Sequence, residues 1–333
     1  MDAVRFGLIG VGKHGQRYAR HIRDDLSDVT LVALARRDSA KAHALATEFR
    51  CRAYTDYREL IAAPDVDAII VVVPPTLHRD IVAVACEARR PMLLEKPAAV
   101  TLAAGRELLA LTRQAPLPVM VAQTLRYNSV VTTVRAALPS LGPIHSIRLS
   151  QRFEPSPLTW LDDPSISGGG MALHTGVHMF DLLRVLTGIE AERVACEMGS
   201  VTTRRTDDNF TAAIRMRGGA VLASVVGSRA THSRAGGIEV VGERGQLVAD
   251  HVLRTAHRIE GAVITPLPLP PVTMTVLDVV RDFAAALRAG CSMPIPLEEG
   301  LRAVAIAEAC YRSSATRRTV EVEQIDAVGA APR

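Results

Sequence analysis

Hydrophobic and polar positions follow two rhythms along this chain. Up to residue 122, short apolar runs alternate with stretches whose apolar residues recur every three or four positions. The runs predict strands at residues 4–9, 29–35, 68–73, 92–95 and 119–122. The stretches between them predict helices at 16–23, 40–48, 78–88 and 103–113. The run Ala68-Ile69-Ile70-Val71-Val72-Val73 is apolar throughout, as in a strand buried on both faces of a parallel sheet. Strand–helix alternation implies βαβ crossovers and a doubly wound sheet. Between residues 123 and 127 the alternation stops. Predicted strands then fall at 144–153, 193–201, 210–216, 221–228 and 238–241. Turn signals at Arg217-Gly218-Gly219 and Gly242-Glu243-Arg244-Gly245 separate short alternating runs, which suits an open antiparallel sheet. A proline-rich loop at 266–271 precedes predicted helices at 276–289 and 298–312. The expected division is therefore 1–124 and 125–333.

The turn after the first predicted strand carries the most specific signal. Gly10, Gly12 and Gly15 form a G-x-G-x-x-G pattern between that strand and a helix containing Tyr18, Ala19 and Ile22. Gly10 permits the turn, Gly12 lets backbone approach a pyrophosphate, and Gly15 lets helix and strand pack closely. The helix N-terminus then faces the phosphates. A plain glycine turn is the competing reading. Ligands of such sheets lie beyond the carboxyl ends of the strands. That rule selects Gly10, Gly12, Lys13, His14 and Gly15 as cofactor-binding, with Arg36, Arg37 and Ser39 after the second strand. It also selects Pro74, Thr76 and His78, then Glu95 and Lys96, then Gln123 and Arg126. Thr76 is read as the N-cap of the helix bearing His78.

Residues 36–39, Arg-Arg-Asp-Ser, choose the cofactor. A carboxylate there would bind the ribose hydroxyls of NAD, whereas arginine pairs with the 2′-phosphate of NADP. NADP is the expectation and NAD, with Asp38 on the ribose, the alternative. In Glu95-Lys96-Pro97 the lysine is carried to the crevice, where an ammonium donates to a developing alkoxide. An exposed strand-end lysine is the competing reading.

In the second half, Ser167-Gly168-Gly169-Gly170 leads into an apolar helical pattern at 171–186. His174, His178 and Asp181 fall at i, i+4 and i+7, on one face of a regular helix. Three readings stand open: a metal site, a proton-handling pair, or satisfied core histidines. Metal ranks last, because no other His/Cys cluster supplies further ligands, and no metal is expected. The triple glycine is read as allowing close approach of another segment or a ligand. Trp160, which precedes the glycines, is a candidate substrate residue or a core residue.

Composition narrows the function classes. The 333 residues are 48% hydrophobic and 22% charged, with a net charge of +4, as in a soluble globular chain large enough for two cores. Lys and Arg are scattered, so nucleic acid is not an expected partner. No apolar run reaches the ~20 residues of a membrane span. The strand at the very start leaves no signal-peptide pattern, and the five cysteines are odd in number and far apart. A reduced, cytoplasmic setting without disulfides is expected.

Together these residues resemble the Gfo/Idh/MocA oxidoreductases. The resemblance spans nearly the whole chain. It runs through the glycine motif, Pro74-Pro75-Thr76-Leu77-His78, Glu95-Lys96-Pro97 and Arg126-Tyr127-Asn128. It continues through Gly168-Gly169-Gly170, Gly176-Val177-His178-Met179-Phe180-Asp181-Leu182, Asp208-Asn209 and Gly300-Leu301-Arg302-Ala303. It implies an N-terminal Rossmann domain (1–124). A C-terminal α/β domain (125–333) with a large, open, mostly antiparallel sheet would bind substrate and form a homodimer or homotetramer. It also implies alcohol–ketone interconversion on a sugar, cyclitol or polyol. Lys96 corresponds to the catalytic lysine and His178 to the substrate-binding, often proton-transferring, histidine, with Arg126, Trp160 and Asp181 as candidate pocket residues. One departure stands out: His174 occupies a position where the family usually has aspartate. It is read as a second member of the proton relay, or as the sign of a non-catalytic dinucleotide sensor. NAD-dependent glycoside cleavage is a further possibility within the family.

Overall fold

The computed structural model describes residues 3–325. The chain divides into two compact units. One contains the described residues up to Thr124 together with Met274–Gly300; the other contains Leu125–Thr273 and the described residues from Leu301 on.

In the first unit, β1 (Val4–Ile9), β2 (Val29–Ala35), β3 (Arg52–Tyr54), β4 (Ala68–Val71), β5 (Met92–Leu94) and β6 (Val119–Val121) form one sheet in the order β3-β2-β1-β4-β5-β6. Every pairing is parallel. This is the doubly wound order of a Rossmann sheet, and it reverses between β1 and β4, the point at which sheets of this kind bind their ligands. All four residues of β4 are buried, as a strand covered on both faces requires. The crossovers include α1 (Gly15–Asp24), α2 (Ser39–Phe49), α3 (Tyr57–Ala62), α4 (His78–Glu87) and α5 (Leu102–Gln114). Three of them start on side-chain caps, α3 among them, where Asp56 accepts from the Arg58 amide (2.9 Å). Asp38 accepts from the Lys41 amide (3.1 Å) and Thr101 from the Ala104 amide (3.2 Å). Thr76 is not such a cap: a 3-10 turn at Pro75–Leu77 leads into α4, whose N-cap residue, Leu77, makes no capping bond. The three-residue β3 and six-residue α3 were not anticipated, being too short to show a period.

The expected second block is not one unit. Met274–Gly300 joins the first, because α9 (Thr275–Ala289) buries Val276, Val279, Val280 and Phe283 there. Phe283 stacks on Phe6 of β1 with ring centroids 5.7 Å apart. The apolar stripe of that helix was legible, but not which sheet it would cover.

The second unit is built on nine strands: β7 (Ile144–Arg152), β8 (Ala191–Gly199), β9 (Asn209–Met216), β10 (Leu222–Ser228), β11 (Gly237–Gly242), β12 (Gly245–Asp250), β13 (Thr255–Glu260), β14 (Val263–Pro266) and β15 (Val320–Glu321). Their order is β14-β13-β12-β11-β7-β10-β9-β8-β15, and only the β7–β10 pair is parallel. Alternate residues such as Ile147, Leu149, Val194, Ile214, Val225 and Val240 are buried, the period-2 pattern of a sheet covered on one face. α8 (Val177–Thr187) packs on β7 and β10, and α6 (Ser129–Ala137) on β12 and β13. α6 runs through the β-branched sequence Val130-Val131-Thr132-Thr133, which carries no helical signal. It forms because Asn128 accepts from the Val130 and Val131 amides while Thr132 and Thr133 hydroxyls bond back to the Ser129 carbonyl. The four-residue α7 (Pro164–Ser167) and α10 (Leu297–Thr316) complete the helices named here.

If the Phe6–Phe283 stack anchors the returning helix, Phe283→Ala removes a fully buried ring and lowers unfolding stability by about 3–5 kcal/mol. Urea denaturation followed by circular dichroism measures it.

Candidate active site

Two side-chain constellations emerge, one in each unit. In the first unit, the turn after β1 is a strained backbone that only glycine serves. Gly10 has φ +91°, and a Cβ there would collide with the Val72 carbonyl; a Cβ on Gly15 would collide with the Gly10 carbonyl. Gly12 differs: it is exposed, and a Cβ on it would meet nothing within 4 Å. Its lack of a side chain leaves open space above the loop.

The strand end after β5 is bound to this loop by one carboxylate. Glu95 is 5% exposed, yet both its oxygens are engaged. Oε1 accepts from His14 Nε2 (2.7 Å) and from the Tyr18 hydroxyl (2.6 Å), and Oε2 accepts from the Lys96 amide (3.0 Å). Burial alone would push this carboxyl up. The charge and hydrogen bond of His14, the charge of Lys96 and the Tyr18 hydroxyl outweigh it and hold it down at about 2. Burial, then the Glu95 charge, pushes the Tyr18 phenol well up, so it stays a donor. His14 and Lys96 thus belong to one network. From the sequence Tyr18 reads only as an apolar position of the first helix, although its i+4 spacing from His14 was a usable signal.

The other expected crevice residues take different situations. Arg36 bends back to the glycine loop, its Nη1 donating to the Val11 carbonyl (2.5 Å), while its buried Nε has no hydrogen-bond partner among the described residues. Lys13, Arg37 and Ser39 are exposed. Asp38, the alternative ribose ligand, is occupied: besides capping α2 it pairs with Lys41 Nζ at 3.0 Å. Pro74 is half-buried and Thr76 exposed. His78 is turned inward: its Nδ1–H donates to the Ala98 carbonyl (3.0 Å), and burial depresses its basicity. Gln123 is buried, and its Oε1 has no hydrogen-bond partner among the described residues.

In the second unit, the helix bearing the histidines is not regular. Residues Ala172–Gly176 form a π turn before α8 begins at Val177. The π turn interrupts the 3.6-residue rhythm on which the expectation of one shared face for His174, His178 and Asp181 was built. His174 is buried, donates Nε2–H to the Ser167 carbonyl (2.9 Å) and meets Trp160 edge-on at 5.5 Å. His178 is half-buried. Asp181 turns to Arg126, which donates from Nε to Oδ2 (2.7 Å) and from Nη2 to Oδ1 (2.5 Å). Arg184 continues the chain of charges, 3.9 Å from Asp181 and doubly bonded to Glu190 (2.6 and 2.7 Å). Asp181, at 1% exposure, is thus engaged in an ion pair and not presented as a lone substrate ligand. Among the described residues no three His, Cys, Asp or Glu side chains gather as a metal site requires.

The segment that approaches the triple glycine is Asp207 with Tyr311. Asp207 Oδ1 accepts from Gly170 N (2.9 Å) and from the Tyr311 hydroxyl (2.7 Å), and Oδ2 accepts from Ala172 N (2.8 Å). A Cβ on Gly170 would strike the Asp207 backbone, so the glycine is what allows the cap to seat. These bonds satisfy the amides that open the π turn. Neither residue was singled out from sequence. Asp207 stands beside the noted Asp208-Asn209 pair, but Tyr311 offered no local sign.

A family model described as "Oxidoreductase family, NAD-binding Rossmann fold" matches residues 4–123, and its partner, "Oxidoreductase family, C-terminal alpha/beta domain", matches residues 138–322. The chain belongs to the Gfo/Idh/MocA oxidoreductase family. It is 26% identical to the inositol 2-dehydrogenase of Rhizobium meliloti over 96% of this chain and 99% of that one. It is 28% identical to the dTDP-3,4-didehydro-2,6-dideoxy-alpha-D-glucose 3-reductase of Saccharopolyspora spinosa, over 89% and 91%. Among solved structures, levoglucosan dehydrogenase in complex with NADH and L-sorbose superposes with a TM-score of 0.89 at 23% identity, covering 98% of this chain and all of that one. The Gfo/Idh/MocA membership makes this chain an NAD(P)-dependent oxidoreductase whose named relatives act on sugars and polyols. No helix among the described residues is long and apolar enough to cross a membrane.

The folded-state value of Glu95, about 2 against an ordinary 4.5, sets a pH dependence. A depressed carboxylate contributes stability that is complete above the unfolded value and lost as pH falls through the folded one. The stability gap between wild type and Glu95→Gln is therefore expected to close between pH 4.5 and about 2, in denaturant titrations across that range.

Proposed function

We propose that this chain is an NADP-dependent oxidoreductase interconverting a secondary alcohol and a ketone on a sugar, cyclitol or related polyol. The observation that carries this reading is the Glu95 network, which ties a lysine at a strand end to the glycine loop of a dinucleotide fold. The residues fit a dinucleotide on three counts: the open space above Gly12, the unmatched buried Nε of Arg36 and the unmatched buried Oε1 of Gln123. Gly10, Gly12, Lys13, His14 and Gly15 would hold the pyrophosphate, and Arg36, with Arg37 and Ser39, the 2′-phosphate. Pro74, Thr76, Gln123 and Glu95 with Lys96 would line the remainder. His78, turned inward, would support this wall from behind, and Arg126 would serve as the partner of Asp181. Arg36 carries the choice of NADP, because Asp38 is engaged as a helix cap.

Bound nicotinamide supplies or accepts the hydride. Lys96, as an ammonium, donates to the substrate oxygen as negative charge develops and takes the proton back in the reverse direction. His178 orients substrate hydroxyls and passes the proton onward. His174, bonded to Ser167 and stacked edge-on by Trp160, supports that role from within the π turn. Inositol, apiose and levoglucosan dehydrogenases among the relatives and similar folds support the polyol class.

Lys96→Ala is expected to lower kcat/KM by about 10²–10⁴ while NADPH binding persists, in steady-state kinetics across a panel of cyclitols and aldoses. Near-normal turnover would refute the mechanism. NADPH binding with no substrate-dependent oxidation in the wild type would favour a sensor. Arg36→Ala is expected to weaken NADPH binding by roughly 10- to 100-fold and leave NADH within about twofold, measured by calorimetry. Equal effects on both cofactors would overturn the NADP assignment.

A further inference from the structure

The covered face of the second sheet is apolar along most of its length and turns polar at one end. His251, Gly236, Gln151 and Gly227 stand side by side there, across the ends of β12, β11, β7 and β10. Gly227 pairs with Gln151, and the bridge between Arg152 and Ala235 sets Gln151 beside Gly236. The His251 amide donates to the Gly236 carbonyl (2.9 Å). Arg229 continues the same face two residues beyond Gly227. Its amide donates to the Asp208 carbonyl (2.7 Å), which keeps it on the ladder with β9.

The polar side chains of this row are incompletely bonded. Gln151 is 2% exposed; its Nε2 donates to the Ala235 carbonyl (3.3 Å), and no donor among the described residues reaches its Oε1. A Cβ on Gly236 would strike the His251 imidazole, so the ring fills the space over β11 that a side chain would take. Its buried Nδ1 has no hydrogen-bond partner among the described residues, and burial depresses its basicity. Arg229 reaches up to the π turn, where its Nη2 donates to Thr175 Oγ1 (3.0 Å), three residues before His178. The other N–H groups of that guanidinium find no acceptor among the described residues. The acids beside it are spent elsewhere. Asp207 caps the π turn and bonds Tyr311, and Asp208 holds the amides of Val201, Thr202 and Thr203. Polar groups taken from water are ordinarily matched, so a row of unmatched ones beside the turn that leads to His178 calls for a partner.

We infer that Arg229, Gln151 and His251 form a binding site for a neutral, polyhydroxylated ring on the covered face of the second sheet. Arg229 supplies donors, Gln151 Oε1 accepts from a hydroxyl, and the imidazole donates or accepts according to its tautomer. Hydroxyls suit the row better than an anion does. Its one cation already has the Asp207 and Asp208 carboxylates beside it, and like charges set together cost affinity. The inference names the substrate class of the polyol reading above and rests on that reading for the reaction, not for the binding.

The test is calorimetry on the full chain with saturating NADPH, which leaves an alcohol unreacted. The probes are myo-inositol, methyl α-glucoside and methyl α-galactoside, each against its monophosphate. Wild type is expected to bind at least one neutral ring, and more tightly than the phosphate. Arg229→Ala weakens that binding about 10- to 100-fold, and His251→Phe, which fills the space without Nδ1, about 3- to 10-fold. Arg229→Lys, which keeps the charge without the fork of donors, loses about tenfold and carries the test where the alanine variant does not fold. NADPH binding in each variant shows that the chain is folded. Neutral rings that wild type does not bind, phosphates that bind more tightly than their parents, or variants that bind like wild type overturn the inference. Hydride transfer is read separately, with NADP and the bound ring. Binding that follows the variants without any transfer leaves the site standing and refutes the proposed function; transfer at wild-type kcat/KM in Arg229→Ala and His251→Phe overturns the site alone.

Discussion

A carboxylate removed from water must find donors for both oxygens, and in the first unit nearly everything near the crevice answers to that requirement at Glu95. Its donors come from the glycine loop, from the first helix and from the residue that follows it. Each donor is itself constrained. His14 stands where the glycine turn ends, and Tyr18 lies fully buried on the inner face of α1. Lys96 lies two residues beyond β5, a strand paired on both sides. The network joins the glycine loop to a strand end that sequence separates by 81 residues.

The second unit answers a different requirement. A π turn is an uneasy backbone, and its opening amides need partners that the turn cannot supply. Asp207 and Tyr311 supply them, from 37 and 141 residues away. The closeness of that cap explains why Gly170 carries no side chain. Asp181, on the helix that follows, is occupied by Arg126, and Arg184 and Glu190 extend the charges. The His174 imidazole is held in place: its Nε2 bonds the Ser167 carbonyl and the ring packs against Trp160. An ionised aspartate at this position could donate no bond to that carbonyl, whereas the imidazole N–H does.

What the chain's order of residues determined by itself were features whose cause is local. Six-residue apolar runs, a glycine turn between strand and helix, and alternating period-2 segments each state their own conformation through sterics and burial. From them the doubly wound sheet, the largely antiparallel second sheet and the glycine turn between β1 and α1 could all be read. Short or contrary segments could not: β3 has three residues, and α6 is written in β-branched residues that only caps and back-bonding hold as a helix. Only the tertiary structure decided which side chains meet. It returned α9 to the first sheet, because an apolar stripe does not say which surface will cover it. It took Asp38 as a cap and Asp181 as an arginine partner, and interrupted the assumed helical rhythm with a π turn. It also joined His14 and Tyr18 to Glu95. Local sterics act between neighbours in sequence, whereas a buried charge is satisfied by whatever donors the packed fold brings within about 3 Å.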